Sequence, residues 1–270
     1  MPPAPRLRGQ TALITGASRG IGLSVAKRFA AEGANVMITH VGDGPLAGSI
    51  VENLHEISRA EGFDARHLAR EADVGDPAAA QAVVHHGVAH FGRLDCLVNN
   101  AGIQAPTPSD GWDDATFARI IAVTLMGAAY SARAVLQHFH SHPGGGTIIN
   151  TSSVHEIIPK PGYLAYSLAK GGLGNLTRTL ALESAASGVR VNAVAPGAVL
   201  TDMNASWAQD PQAKARVEAH IPLGRAATPE EIAGIFAFLA SSDAAYITGQ
   251  TIYACGGLTL YGDFLNNWAS

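Results

Sequence analysis

Charge is scarce in this chain: Asp, Glu, Lys and Arg make up 15% of its 270 residues, and the formal net charge is −4. So little charge excludes a solvated or disordered polymer. The lack of a basic stripe removes nucleic acid from the expected partners. No uninterrupted apolar run reaches spanning length, so no membrane partner is expected either. The opening Met1–Arg8 carries no apolar stretch of the secretory kind, and residues 1–8 read as a short flexible arm. Cysteine is limited to Cys96 and Cys255, which leaves no disulfide framework and points to a reducing, cytoplasmic compartment. Repeats and interdomain linkers are lacking; Gly42–Pro45 and Gly144–Gly146 read as turns.

Histidine is the polar residue in good supply, with 11 copies. His138, His140 and His142 alternate, but they fall where a helix ends before Pro143 and Gly144, and imidazoles there serve free carbonyls. No carboxylate stands at ligand spacing, so no metal is expected. His85, His86 and His90 read as a solvated helix face.

Hydrophobic residues, at 47%, suffice for a large core. Strand-like runs at Thr11–Thr15, Asn35–Thr39, Leu94–Val98, Thr147–Thr151, Val189–Val194 and Thr251–Ala254, with a weaker one at Ala65–Leu68, alternate with amphipathic stretches of helical length. That pattern predicts an α/β fold: a Rossmann-type, doubly wound parallel sheet of about seven strands with helices on both faces. Residues 9–270 are expected to form one domain, because the two chemical motifs described next must meet at one cofactor.

The first motif is Thr15-Gly16-Ala17-Ser18-Arg19-Gly20-Ile21-Gly22, which follows a short strand and opens a helix. Free N–H groups and the positive helix end suit a pyrophosphate, and the missing side chains at Gly16, Gly20 and Gly22 permit close approach. The second is Tyr166-Ser167-Leu168-Ala169-Lys170, where tyrosine and lysine project from one helical face. A cation there stabilises tyrosinate. Bringing a tyrosine from near pH 10 to neutrality needs roughly 2–3 units, or about 3–4 kcal/mol, of preference for the anion. Ser153, in a turn after a strand, can hold a substrate oxygen beside Tyr166. Tyr163 is the rival tyrosine, but its residue four further on is Ser167, not lysine.

With Asn99-Asn100-Ala101-Gly102 and Pro196–Thr201 in the same order, the chain resembles the short-chain dehydrogenases/reductases over nearly its whole length. The resemblance implies an oxidoreductase in which Tyr166 is the general acid/base, Lys170 its tuner and a ligand of the nicotinamide ribose, and Ser153 the substrate orienter. It also implies dinucleotide contacts at Gly16, Ser18, Arg19, Gly20, Ile21, Gly22, Asn100, Ala101, Gly102, Pro196 and Gly197. Asp73-Val74 matches the pair that contacts adenine, and Val199 and Thr201 match positions that hold the nicotinamide amide. Thr124 stands where the family usually has an asparagine that interrupts a helix and holds a proton-relay water. Threonine's single hydroxyl puts that relay in question.

The end of the second strand decides between the two dinucleotides, and it carries His40 and Val41 instead of an acid. With Arg19 placed to meet a phosphate, NADP(H) is favoured over NAD(H), and His40 is a ribose contact. Ser152–Glu156 and Gly256–Tyr261 resemble segments of bacterial glucose 1-dehydrogenases. That likeness implies that His155 and Glu156 face a polyhydroxylated substrate, with Gln104, where those enzymes often have an acid, nearby. The expected substrate is a small sugar, polyol or related carbonyl compound. A 3-oxoacyl-carrier-protein reductase and a noncatalytic nucleotide sensor are the alternatives. The resemblance further implies a homotetramer, to which the apolar stretches Phe117–Leu136 and Tyr166–Leu182 and the aromatic end Leu258–Trp268 could contribute.

Overall fold

A computed structural model describes residues 5–42, 44–142 and 144–260. Strands and helices alternate as β1 (Thr11–Ile14), α1 (Gly20–Ala31), β2 (Asn35–His40), α2 (Gly44–Ala60), β3 (His67–Glu71), α3 (Pro77–Phe91), β4 (Cys96–Asn99), α4 (Asp114–Ile121), α5 (Gly127–Ser141), β5 (Gly146–Thr151), α6 (Leu164–Ser184) and β6 (Val189–Pro196). Two short helices, α7 (Ala205–Ala208) and α8 (Pro211–Glu218), then α9 (Pro229–Ala240), lead to β7 (Thr251–Ala254). The seven strands pair in parallel in the order β3-β2-β1-β4-β5-β6-β7. This is the doubly wound sheet the sequence predicts. The chain winds from β1 to one edge, then from β4 to the other, so the order reverses between β1 and β4 and a crevice opens at their carboxyl ends.

Alternate residues of the central strands enter opposite faces of the sheet. Ile14, Val36, Ile38 and Val98 join Val25, Phe29, Ile232 and Phe236 of α1 and α9 in one buried layer. Leu13, Met37, Leu97 and Ile148 join Val84, Val135 and Phe139 of α3 and α5 in the other. Helix starts follow their sequence signals. Asp76 accepts from Ala78 and Ala79 N–H ahead of Pro77, and Thr228 with Glu231 forms a reciprocal capping box ahead of Pro229. Helix α6 has no side-chain cap of its own. Its Ala165 N–H is instead met by the hydroxyl of Thr107, a fully buried residue 58 positions earlier.

Two expectations need correction. The arm expected over residues 1–8 is tied down where it is described: Leu7 is buried in the core, and Arg6 forks onto both oxygens of Glu32. Residues 1–4 lie outside the described part. Strand β3 begins at His67, not Ala65, since its ladder pairs His67 with Val36 while Arg66 N–H goes to the side chain of Asn35. An edge strand reading His-Leu-Ala-Arg-Glu has little apolar period to mark its ends. The aromatic end beyond Leu260 also lies outside the described residues.

Between α4 and α5 the backbone widens into one π turn, Ala122–Met126, without breaking the rod. Within the rod, Asp114–Ser141, an 18-residue stretch has a mean hydropathy of 1.4, which makes the rod the one described helix long and apolar enough to cross a bilayer; half of that stretch is buried inside the fold. Its apolarity is what a helix packed on a sheet requires.

His67 supplies a pH signature. Its ring is buried, Nε2 meets the Ser58 hydroxyl at 2.9 Å, and Nδ1 has no partner. Burial, with the neighbouring His55 adding repulsion, pushes its pKa down to about 4. The folded state therefore binds fewer protons than the unfolded state between pH 6.5 and 4, and stability falls with acidification. Between pH 6.5 and 5, before carboxylates titrate, this group alone contributes a slope of about 1 kcal/mol per unit. Urea denaturation across that window is expected to show a shallower slope for His67→Leu than for the wild type; equal slopes would refute it.

Candidate active site

Every chemical motif converges on the β1/β4 crevice. The glycine turn leaves β1 with Gly16 and Gly20 both in the left-handed region, at φ 62 and 56°. A Cβ on Gly16 would come within 2.7 Å of the Ala101 backbone, and one on Gly22 within 2.4 Å of the Asn100 amide. The turn is thus pressed onto the segment after β4. Gly20 is different: a Cβ there would meet only Thr201, at 3.5 Å. Arg19 precedes α1 without capping it, so the helix keeps its N-terminal N–H groups unspent by side chains. The bare backbone of the turn and the uncapped donors of α1 together suit a dinucleotide pyrophosphate.

Asn100 plays a different part from the expected cofactor contact. Its amide donates to the carbonyls of Thr15 and Gly16, its Oδ1 accepts from Thr151, and its backbone N–H joins that of Ala101 on the Thr15 hydroxyl. It braces the turn. Gly102 continues this segment beneath Thr124. Val199 is buried, its carbonyl taken by Asn204, and Gly197 lies against Cys255. Pro196 ends β6. Thr201 precedes a short 3-10 turn without capping it, which leaves its hydroxyl to the crevice.

At the adenosine end, His40 is buried and its Nδ1 sits at 2.5 Å from the Gly42 carbonyl, so its ring is already committed within the chain. Asp73 binds the guanidinium of Arg119 at 2.8 Å and the N–H of Gly75, while Val74 is buried against Gly127. Arg19 is exposed, and Ser18 and Ile21 are part-exposed along the turn. Strand register brings in a residue the sequence reading missed. Glu71 lies beside His40 and accepts the Gly42 N–H.

The candidate proton-transfer residues stand in the turn after β5 (Ser153) and on α6 (Tyr166 and Lys170). Lys170 is buried, donates to the Thr151 carbonyl at 2.6 Å, and lies 5.5 Å from the centre of the Tyr166 ring. Burial pushes Tyr166 up to about 12, against a hydrogen bond from Ser153 that pulls the other way. Burial likewise pushes Lys170 down to about 8, while the Glu156 carboxylate acts to hold it up. In the protein alone Tyr166 is therefore a proton donor, not a standing tyrosinate. His155 rests edge-on against Tyr166, 6.2 Å between ring centres, and burial holds it below the usual imidazole range.

Glu156 does not face a substrate. Its side chain is 4% exposed and is spent inside the fold on the Ser152, Thr251 and Tyr253 hydroxyls, with Arg178 at 3.5 Å. Gly174 makes room for it, since a Cβ there would fall 2.3 Å from the carboxylate. Glu156 is a buried counter-charge that ties the Ser153 turn to β7. Thr124 also departs from expectation. Its hydroxyl accepts the Ile103 N–H at 3.1 Å and donates to the Ile103 carbonyl at 3.2 Å, so it clamps the loop after β4 to the π turn. Gln104, next along that loop, accepts from Lys160. Sequence reasoning passed over Lys160 because it belongs to no motif.

Among the described residues no group of three or more His, Cys, Asp or Glu could hold a metal. His138, at the end of α5, accepts the Leu94 N–H.

A family model described as enoyl-(acyl carrier protein) reductase matches residues 16–259. Over 99% of this chain and 100% of the relative's length, 45% of residues are identical to a glucose 1-dehydrogenase of Gluconobacter oxydans. A 3beta-hydroxysteroid dehydrogenase of Eggerthella lenta is 42% identical, covering 96% of this chain and 97% of its own. Among solved structures, one provisionally described as an NAD(P)-dependent gluconate 5-dehydrogenase of Beutenbergia cavernae, with bound NADP at low occupancy, superposes with a TM-score of 0.85 and 34% identity, covering 95% of this chain and 99% of that one.

The Thr124 clamp generates a test. Thr124→Val keeps the shape but strips both bonds to Ile103, leaving buried polar groups unpaired, which typically costs about 1–3 kcal/mol. Chemical denaturation is expected to show a loss of that size; a neutral substitution would mean the clamp does not hold the loop.

Proposed function

Because this chain belongs to the short-chain dehydrogenase/reductase family and is an oxidoreductase acting on CH–OH groups, we propose that it moves hydride between NADP(H) and a secondary alcohol or carbonyl of a small sugar or polyol. The observation that carries this reading is the convergence of Ser153, Tyr166 and Lys170 beside the uncapped start of α1. A bound nicotinamide supplies or receives the hydride. The backbone of Gly16 to Gly22 would hold its pyrophosphate, Thr201 would face it from across the crevice, and Lys170 would bind its ribose. Ser153 orients the substrate oxygen, and Tyr166 gives that oxygen its proton in reduction; in oxidation Lys170, with the positive charge of a bound oxidised nicotinamide, would favour the tyrosinate that takes the alcohol proton. A noncatalytic sensor would have no use for a buried tyrosine and lysine set against each other. The dehydrogenase relatives favour a hydroxyl substrate over an acyl-carrier thioester.

NADP(H) is supported by the exposed Arg19 at the turn and by the lack of an acid on β2; Glu71 is engaged by Gly42. The glucose and gluconate enzymes among the relatives support a polyhydroxylated substrate. A homotetramer is supported by Leu168 and Leu182, exposed apolar residues 14 apart on α6 and so on one face.

The test is a screen of sugars, polyols and keto compounds with both dinucleotides, read at the reduced nicotinamide absorbance. Turnover is expected with NADP(H), abolished in Tyr166→Phe. Arg19→Ala is expected to weaken NADP(H) about ten- to a hundredfold and NAD(H) far less, since only the former offers a phosphate to the guanidinium. Turnover within a few-fold of wild type in Tyr166→Phe would overturn the assignment, and a wild type preferring NAD(H) would overturn the cofactor preference.

A further inference from the structure

One cation in the cleft has no part in the proton-transfer scheme. Lys160 stands on the loop leading into α6, part-buried, with its ammonium 2.9 Å from the Gln104 Oε1. It lies 3.8 Å above the Tyr163 ring and 5.9 Å from the centre of the Tyr166 ring. Tyr166 thus has two ammoniums near its ring, Lys170 at 5.5 Å and Lys160 at 5.9 Å from the centre. The loop is not loosely placed. Thr107 N–H binds the Gly162 carbonyl, Leu164 N–H binds the Thr107 carbonyl, and the two loops that form this wall are joined as a β-bridge at Thr107 and Tyr163.

Among the described residues no carboxylate forms an ion pair with Lys160, and Glu156, near in sequence, is turned inward to Ser152, Thr251 and Tyr253. Burial pushes its pKa down without any charge to oppose the shift. His155, held below the usual imidazole range, is pushed further in that direction by this same ammonium. An amide oxygen and an aromatic face satisfy part of an ammonium's hydrogen-bonding and electrostatic demand, but neither neutralises its charge. A desolvated cation facing the reacting tyrosine is suited to meet an anion brought by the ligand.

We propose that Lys160 is the anion-binding group of the substrate site, and that the substrate is a polyhydroxylated carboxylate, an aldonate, whose carboxylate pairs with Lys160 while a secondary hydroxyl a few carbons away lies at Tyr166. Gln104 holds the ammonium in place and offers its amide N–H to the same carboxylate. This rests on the reading of Tyr166 as the proton-transfer group and narrows the substrate class within it.

The test uses two acyclic six-carbon compounds alike except at C1: D-gluconate, a carboxylate there, and D-sorbitol, a neutral alcohol. The wild type is expected to favour gluconate in kcat/KM. Lys160→Met, which keeps the packing on Tyr163, is expected to lower the gluconate-to-sorbitol ratio about ten- to a hundredfold, chiefly through KM, and Lys160→Arg to restore most of it. A purely structural lysine would affect both compounds together and leave the ratio within twofold, which would overturn the proposal, as would a wild type favouring sorbitol. Calorimetric binding of both compounds to the protein loaded with reduced dinucleotide, which cannot accept a hydride, reads the same ratio without turnover. There, gluconate binding lost in Lys160→Met supports the proposal, and its absence in the wild type overturns it. The hydride-transfer reading fails separately, by Tyr166→Phe retaining turnover or by no hydroxyl compound being oxidised.

Discussion

Asn100 and Thr15 together hold the glycine turn in the shape on which the rest of the site depends. Their side chains and backbones join the ends of β1, β4 and β5 through five part-buried hydrogen bonds. The bracing leaves no space for a side chain at Gly16 or Gly22, while a Cβ at Gly20 would meet only Thr201, at ordinary contact distance. A strand end, a helix start and a polar brace thereby make one anion site from backbone alone. Thr151 extends the same brace to catalysis. Its hydroxyl donates to Asn100 and its carbonyl accepts the Lys170 ammonium, so the cofactor cradle and the proton-transfer pair share a strut.

Around that strut, burial and charge act in opposite directions. Burial drives both Tyr166 and Lys170 toward their neutral forms, to about 12 and about 8. Two groups oppose it: the Ser153 hydroxyl acts on the tyrosine and the inward carboxylate of Glu156 on the lysine. Neither is strong enough to make tyrosinate in the protein alone, since the sequence argument requires roughly 2–3 units downward and burial moves the group upward. In the protein alone Tyr166 therefore rests in its neutral, proton-carrying form.

What was legible in the sequence was local. The glycine turn, the Tyr166/Lys170 spacing and the alternation of strands and helices each lie within one or two turns of chain, so their geometry follows from residue type. What was misread was decided at a distance. Glu156 follows Ser153 closely and so read as a substrate contact, yet its partners Thr251 and Tyr253 lie 95 and 97 residues away. Lys160 drew no notice because the residue that holds it, Gln104, is 56 positions off. Thr124 read as a weakened relay because only the fold shows its hydroxyl spent on Ile103. The family match over residues 16–259 and the dehydrogenase relatives fix the chemistry class.

The most direct measurement of the central claim is equilibrium binding of reduced dinucleotide, by calorimetry, to the wild type and to Gly22→Ala. The wild type is expected to bind one dinucleotide per chain. Gly22→Ala, whose new methyl would sit 2.4 Å from the Asn100 amide and 2.7 Å from the Gly16 carbonyl, is expected to bind at least about tenfold more weakly while keeping its helical circular dichroism, because a shift of this size displaces the donors from the pyrophosphate. Unchanged affinity in the variant, or no binding by the wild type, would contradict the account.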